Sequence, residues 1–222
     1  LIGSIESTIK TPERDEKADT IMHVLRSFDV NKPGIKLKDI KGGVIGGSLT
    51  QGIFNIGDEI EIKPGIMNEK NKSYEPILTE ITSLGTAAGI VESVKPGGLV
   101  AIGTKLDPSM TRSDSFIGSV IGKPGTLPDN STLLKLDVNL FDSAVGSTVD
   151  SSTDLQVKPI QTGELLRLNI GTAPVLGKVT KVKSSNIEIE LRRPACIFEN
   201  GRVAISRKIA ERWRLIGAGI VG

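Results

Sequence analysis

The sequence predicts an all-β chain of two antiparallel β-barrels with a short helical stretch at its N-terminus, and three observations carry that expectation. The first is the stretch Lys41 to Gly65, KGGVIGGSLTQGIFNIGDEIEIKPG. There Val44, Leu49 and Ile53 stand beside Gly43, Gly46, Gly47 and Gly52, and Ile60 and Ile62 alternate with Glu59, Glu61 and Lys63. Alternation is the period of a half-buried strand, and interior glycines mark bulges or close approach of a backbone or ligand. The second is stricter alternation later on, where Leu134, Leu136, Val138 and Leu140 are interleaved with Lys135, Asp137 and Asn139. The third is composition: 25 glycines with only 3% aromatics suit a many-turned β chain with aliphatic cores.

Taken in order, Leu1, Ile2, Ile5 and Ile9 lie at helical spacing until Thr11-Pro12 ends the pattern. Glu13 to Thr20 is a charged linker, so residues 1–17 form a helical remnant plus linker. The first barrel is expected over 18–112. Its strands are Ile21 to Phe28, stopped by Asn31, Pro33 and Gly34, then the glycine stretch with its Gly57-Asp58 turn, then Pro76 to Leu84. A loop leads to Gly98 to Leu106, and Asp107-Pro108 opens the next turn. The second barrel is expected over 113–222. Leu166, Leu168 and Ile170 alternate there, as do Ile187, Ile189 and Leu191 against Glu188 and Glu190. Asp142 to Asp154 reads as loop with room for one short helix.

Bulk properties exclude several classes. The net charge of +2 forces no polyanion partner, so any basic patch must be local. A single cysteine, Cys196, excludes a disulfide framework and fits a reducing cytoplasm. No apolar run approaches the roughly 18 residues that span a bilayer. The N-terminus has no signal-peptide pattern. The sequons at Asn71 and Asn130 are therefore read as chance.

Enzymatic signals are poor. Gly217-x-Gly219-x-x-Gly222 spells a dinucleotide fingerprint but has no helix after it, and reads as a glycine-rich last strand. Gly118 to Lys123 and Gly171 to Lys178 lack phosphate-loop spacing, so this chain is not expected to bind GTP. His23, the only histidine, reads as a packed or surface residue, and Cys196 as a buried inert thiol. No catalytic or metal-ligating set is assigned. Lys178 to Arg214 carries ten Lys or Arg against four Asp or Glu. Arg192, Arg193, Arg207, Arg212 and Arg214 are its phosphate-contact candidates, and pairing with internal carboxylates is the competing reading for each. Trp213, between two arginines, is assigned to the core rather than to a stacked base.

A G-x-V-x-x-G run followed by G-D and an alternating strand resembles the second domain of translational GTPases. RSFDVNKPG at Arg26 to Gly34, GGVIGGS at Gly42 to Ser48, KPGGLVAIGTKLDPS at Lys95 to Ser109 and SRKIAERWRLIGAGIV at Ser206 to Val221 narrow it. Together they resemble the gamma-subunit family of archaeal and eukaryotic translation initiation factor 2, of archaeal type. The resemblance implies domains II and III, with the GTP- and magnesium-binding domain lying ahead of Leu1. It implies that the glycine stretch holds a tRNA 3′ end through Gly46, Gly47, Ser48, Leu49 and Phe54, faced by Gly98 and Ala101. Arg26, Phe28, Asp29 and Lys32 would lie at the aminoacyl edge. Implied partners are initiator methionyl-tRNA, the small ribosomal subunit and the alpha subunit on domain II loops around Lys32 to Gly34 and Lys95 to Asp107. The beta subunit would reach it only through the nucleotide-binding domain. The selenocysteine-specific elongation factor shares both barrels, but the long matches stand against it. A protein-binding module without RNA contact is the alternative from another class.

Overall fold

The computed structural model describes residues 1–9, 13–145 and 156–222. Thr11-Pro12 and most of the 142–154 loop lie outside the described residues. Helix α1 (Ile2–Thr8) buries none of its side chains. The 13–20 segment is more than a tether. Thr20 is buried and donates to the Ile53 carbonyl, Asp15 accepts from the Gly52 amide through its backbone, and Glu16 pairs with Lys95 at 2.8 Å.

The first barrel comprises β1 (Ile21–Phe28), β2 (Val44–Gln51), β3 (Phe54–Asn55), β4 (Glu59–Asn68), β5 (Ser73–Thr86), β6 (Gly89–Val91), β7 (Ser93–Val94), β8 (Gly98–Thr104) and β9 (Val120–Gly122). Six of these run in the order β4-β9-β1-β2-β8-β5, and pairing of β5 with β4 closes the ring. Strand β6 adds to β5 outside the ring, and β3 pairs with β7 as a separate ribbon. Strand β9 belongs to this barrel, so the sheet runs past the boundary expected near Arg112. A three-residue strand carries too little periodicity to be seen in sequence.

Alternation decides what is inside. Ile45, Gly47 and Leu49 point inward on β2, while Val44, Gly46 and Ser48 point outward. Leu49 and Phe54 are fully buried with Met22, Ile60, Ile81 and Ile102.

The second barrel comprises β10 (Asn130–Leu140), β11 (Leu165–Ile170), β12 (Ala173–Lys183), β13 (Asn186–Cys196), β14 (Arg202–Ile209) and β15 (Arg212–Val221). It closes in the order β10-β13-β12-β11-β14-β15 through β10–β15 pairing. Leu134, Leu136, Leu166, Leu168, Ile189 and Ile205 fill it. Between the barrels lies a small apolar cluster of Val120, Leu127 and Cys196, flanked by Ile21 and Phe198.

Candidate functional site

One cross-strand row builds the site. Arg26 on β1 sits opposite Gly46 on β2, Gly46 opposite Ala101 on β8, Ala101 opposite Gly85 on β5, and Gly85 opposite Ile90 on β6. Neighbours in such a row lie about 5 Å apart on one face of the sheet. Its middle three members therefore make a floor almost without side chains. A bulge on β1 between Val24 and Arg26 leaves Leu25 without a partner and turns it outward beside Arg26. Leu25, Phe28, Leu99 and Ile90 form the walls of a groove of about 580 Å³ over this floor. Leu99 and Ile90 are 69% and 80% exposed, so the walls are apolar surface facing water.

The groove end at Arg26 is held by the turn segment Pro108–Asp114. Arg26 Nε donates to Asp114 at 2.8 Å, and the Ser27 amide donates to the same carboxylate at 2.9 Å. Asp29 accepts from Arg112 Nη2 at 3.0 Å and from the Asn31 amide at 2.8 Å. Buried Thr111 donates to the Phe28 carbonyl, and the Phe116 amide donates to Ser27 Oγ. These contacts pin Ser113 and Asp114, both in the left-handed region at φ of 55° and 58°. The Arg26 hydrogen bond, then the Ser27 amide, holds the Asp114 carboxyl below the ordinary range. Asp29 is depressed first by the Asn31 amide and then by Arg112.

Of the residues expected at a tRNA end, Gly46, Gly47 and Ala101 line the groove, as do Arg26 and Phe28 of the expected aminoacyl edge. Others do not. Leu49 and Phe54 were expected to offer apolar faces to a ligand, but alternation sends both into the core. A Cβ on Gly47 would be driven into the His23 carbonyl and the Met22 methyl, so this glycine serves strand packing. A Cβ on Gly46 meets nothing nearer than 3.8 Å and opens onto the groove. Ser48 and Gly98 sit further along the same strands, outside the groove lining. Asp29 is spent in the clamp. Lys32 is exposed on a loop closed by the Asn31 side chain, which bonds both the carbonyl and the amide of Lys41. Sequence reasoning placed Leu25 and Leu99 in strands without assigning either to the site, and it missed Gly85 and Ile90 because 85–97 reads as loop. The Gly85/Gly89 pair beside an unexplained Ile90 is the one available signal.

The basic segment divides. Arg207 is clasped by Glu164, with Nη2 at 3.1 Å from Oε2, and also donates to the Lys158 carbonyl at 2.7 Å. Arg193 donates to the Pro174 carbonyl at 2.9 Å. Arg214 is half-buried, whereas Arg192 and Arg212 are exposed. Trp213 was assigned to the core; it is only half-buried, opposite Lys208 on β14. His23 packs edge-on against Phe198 across the barrels, with ring centroids 6.2 Å apart. Burial lowers the His23 pKa and pushes the Cys196 thiol up to about 12. Among the described residues no three His, Cys, Asp or Glu converge as metal ligands. No described helix is long and apolar enough to cross a membrane.

A family profile described as "Initiation factor eIF2 gamma, C terminal" matches residues 132–221. Translation initiation factor 2 subunit gamma of Archaeoglobus fulgidus is 48% identical over 221 residues, covering 100% of this chain and 51% of the relative. The proteins of the same name from Methanococcus maripaludis and Pyrococcus furiosus are 47% and 50% identical over 223 residues, each covering 100% of this chain and 53% of the relative. The chain spans about half the length of the curated relatives it matches. On its barrels, its motifs and these identities, the chain belongs to the family of translation initiation factor 2 gamma subunits.

Proposed function

We propose that the first-barrel groove receives the 3′-terminal adenosine and aminoacyl ester of a charged tRNA. The observation that carries this reading is the Gly46–Ala101–Gly85 floor between apolar walls. A planar purine can lie directly on backbone there, with Leu99 and Ile90 against its faces and edges. Arg26, fixed in direction by Asp114, offers a guanidinium toward the sugar–phosphate. In this reading the tRNA is the methionyl initiator, delivered to the small ribosomal subunit in the cytoplasm; the relatives' names, those of a translation initiation factor, support an initiation role. GTP and magnesium are held by the part of the longer protein that this chain does not span, which also carries the beta-subunit contact. The alpha subunit docks on first-barrel loops. Leu37, 88% exposed in the 31–41 loop, supports that placement better than Lys95, which is already paired with Glu16.

The test is binding of full-length protein to intact and 3′-adenosine-truncated tRNA. Gly46→Leu, which fills the groove from its floor, is expected to reduce the preference for the intact end by roughly tenfold, or about 1.4 kcal/mol. Arg212→Ala is expected to weaken both RNAs alike and flatten the salt slope by about one unit. A folded Gly46→Leu protein that keeps the full preference would move the tRNA end elsewhere. Failure of the native protein to bind tRNA at any salt would leave the protein-docking role alone.

A further inference from the structure

The connector 123–129 between β9 and β10 does not run as a free tether. Lys63 on β4 is buried, and its ammonium donates to the carbonyls of Leu127 and Pro128, each at 3.2 Å. It also lies 3.5 Å from an Asp129 carboxylate oxygen and 3.8 Å from Glu61. Glu61, two residues earlier on the same strand, accepts from the Gly125 amide at 3.2 Å. One residue beyond the connector, Asn130 donates from its side chain to the Pro64 carbonyl at 2.9 Å. Two adjacent charged side chains of the first barrel thus hold both ends of the connector.

We propose that Lys63, with Glu61, is a latch that fixes the angle between the two barrels and makes them one rigid body. The apolar seam beside it is modest, joined by the His23–Phe198 ring contact. Its buried core is Val120, Leu127 and Cys196, and clefts of about 390 and 180 Å³ open between the barrels. Interfaces of that kind inside a chain ordinarily permit relative motion. A buried ammonium behaves differently, because it must keep its oxygens. Any swing of the second barrel drags the Leu127 and Pro128 carbonyls with it and strands the charge in a low-dielectric seam. The penalty rises steeply with displacement, which is what a latch requires. Loss of the latch frees the angle without dismantling either barrel, since each sheet closes on its own strands. The groove and the exposed arginines of the second barrel then hold a fixed relative position only while the latch is closed.

The test measures the distance distribution between spin labels at Asn71, in the β4–β5 turn, and Ser185, in the β12–β13 turn, both exposed. Cys196 is buried and stays unlabelled. The native chain is expected to give one narrow distribution. The double variant Glu61→Leu/Lys63→Met removes both charges together, so neither is orphaned. Its distribution is expected to broaden at least roughly twofold while circular dichroism still reports both barrels. A broad native distribution, or a folded double variant as narrow as native, overturns the proposal. If the variant does not fold, hydrogen exchange on the unaltered chain decides. The Gly125 amide, exposed in sequence context but held by Glu61, must then exchange as slowly as the β9 amides, and unprotected exchange overturns the latch.

Discussion

Adjacent glycines with opposite duties illustrate how finely one strand position decides a role. Gly46 leaves the groove floor open, whereas Gly47 lets β2 lie against β1. Gly47→Ala is therefore expected to lower stability by about 1–3 kcal/mol, the range for overpacking, and Gly46→Ala to stay within about 0.5 kcal/mol of native. Urea unfolding measures both; equal midpoints for the two variants would contradict the assignment. The glycines themselves were legible in the sequence, but their facing was not. With glycine at both positions the apolar alternation loses its phase, so Leu49 and Phe54 could be mistaken for groove residues. Arg207 was hidden for another reason: its Glu164 partner lies 43 residues away, across a pairing that only the closed barrel brings about.

Among the elements, strands of five residues or more with strict alternation were readable, and β1, β10, β11 and β13 fall where the pattern puts them. Strands β6, β7 and β9 have two or three residues and no period to show, and β6 carries Ile90 of the groove wall. The turn opening at Asp107-Pro108 was readable, but the hold of Pro108–Asp114 on β1 was not, because it comes from contacts distant in sequence. Its clamp makes a prediction. Both Asp114 and Asp29 are depressed by their hydrogen bonds, so the contribution of the clamp is present above the ordinary carboxylate range and lost as pH falls through the lowered values, below 3.8. Asp114→Asn keeps a residue that tolerates the left-handed region and removes only the charge. Exchange of the Ser27 amide, which Asp114 accepts from, is expected to speed up in this variant at neutral pH. In the native chain its protection, corrected for the intrinsic slowing of amide exchange in acid, is expected to fall only on acidification, and protection unchanged in both cases would count against the clamp.

At the scale of the molecule, the seam carries a titratable signal in its one histidine. His23 is held neutral by burial against Phe198 and Gly171, with Cys196, Glu199 and Arg202 lining the same cleft. Its folded pKa lies below 6.5, so the unfolded chain takes up a proton first and stability falls as pH drops below 6.5. His23→Gln is expected to flatten that decline between pH 6.5 and about 5, read as urea midpoints, before carboxylates dominate. An identical decline in the variant would assign it to other groups. Nucleotide chemistry makes a further whole-chain prediction. The glycine runs at 118–123 and 171–178 lead into strands β9 and β12 rather than into helix N-termini. Calorimetric titration of this chain with GTP and magnesium is expected to give no stoichiometric heat, and a submillimolar isotherm would refute that.

Closure of both sheets has one more consequence, for how the molecule behaves at high concentration. An open sheet ends in a row of unpaired amides and carbonyls that can template another chain's strand and start edge-to-edge growth. The second barrel has no such edge, because β10 pairs with both β13 and β15. Among the described residues the first barrel offers only three-residue β6 and the two-residue ribbon strands, too short to seed an intermolecular ladder. A chain this rich in β-structure is thereby guarded against fibrillar association by topology alone, before any surface charge is counted.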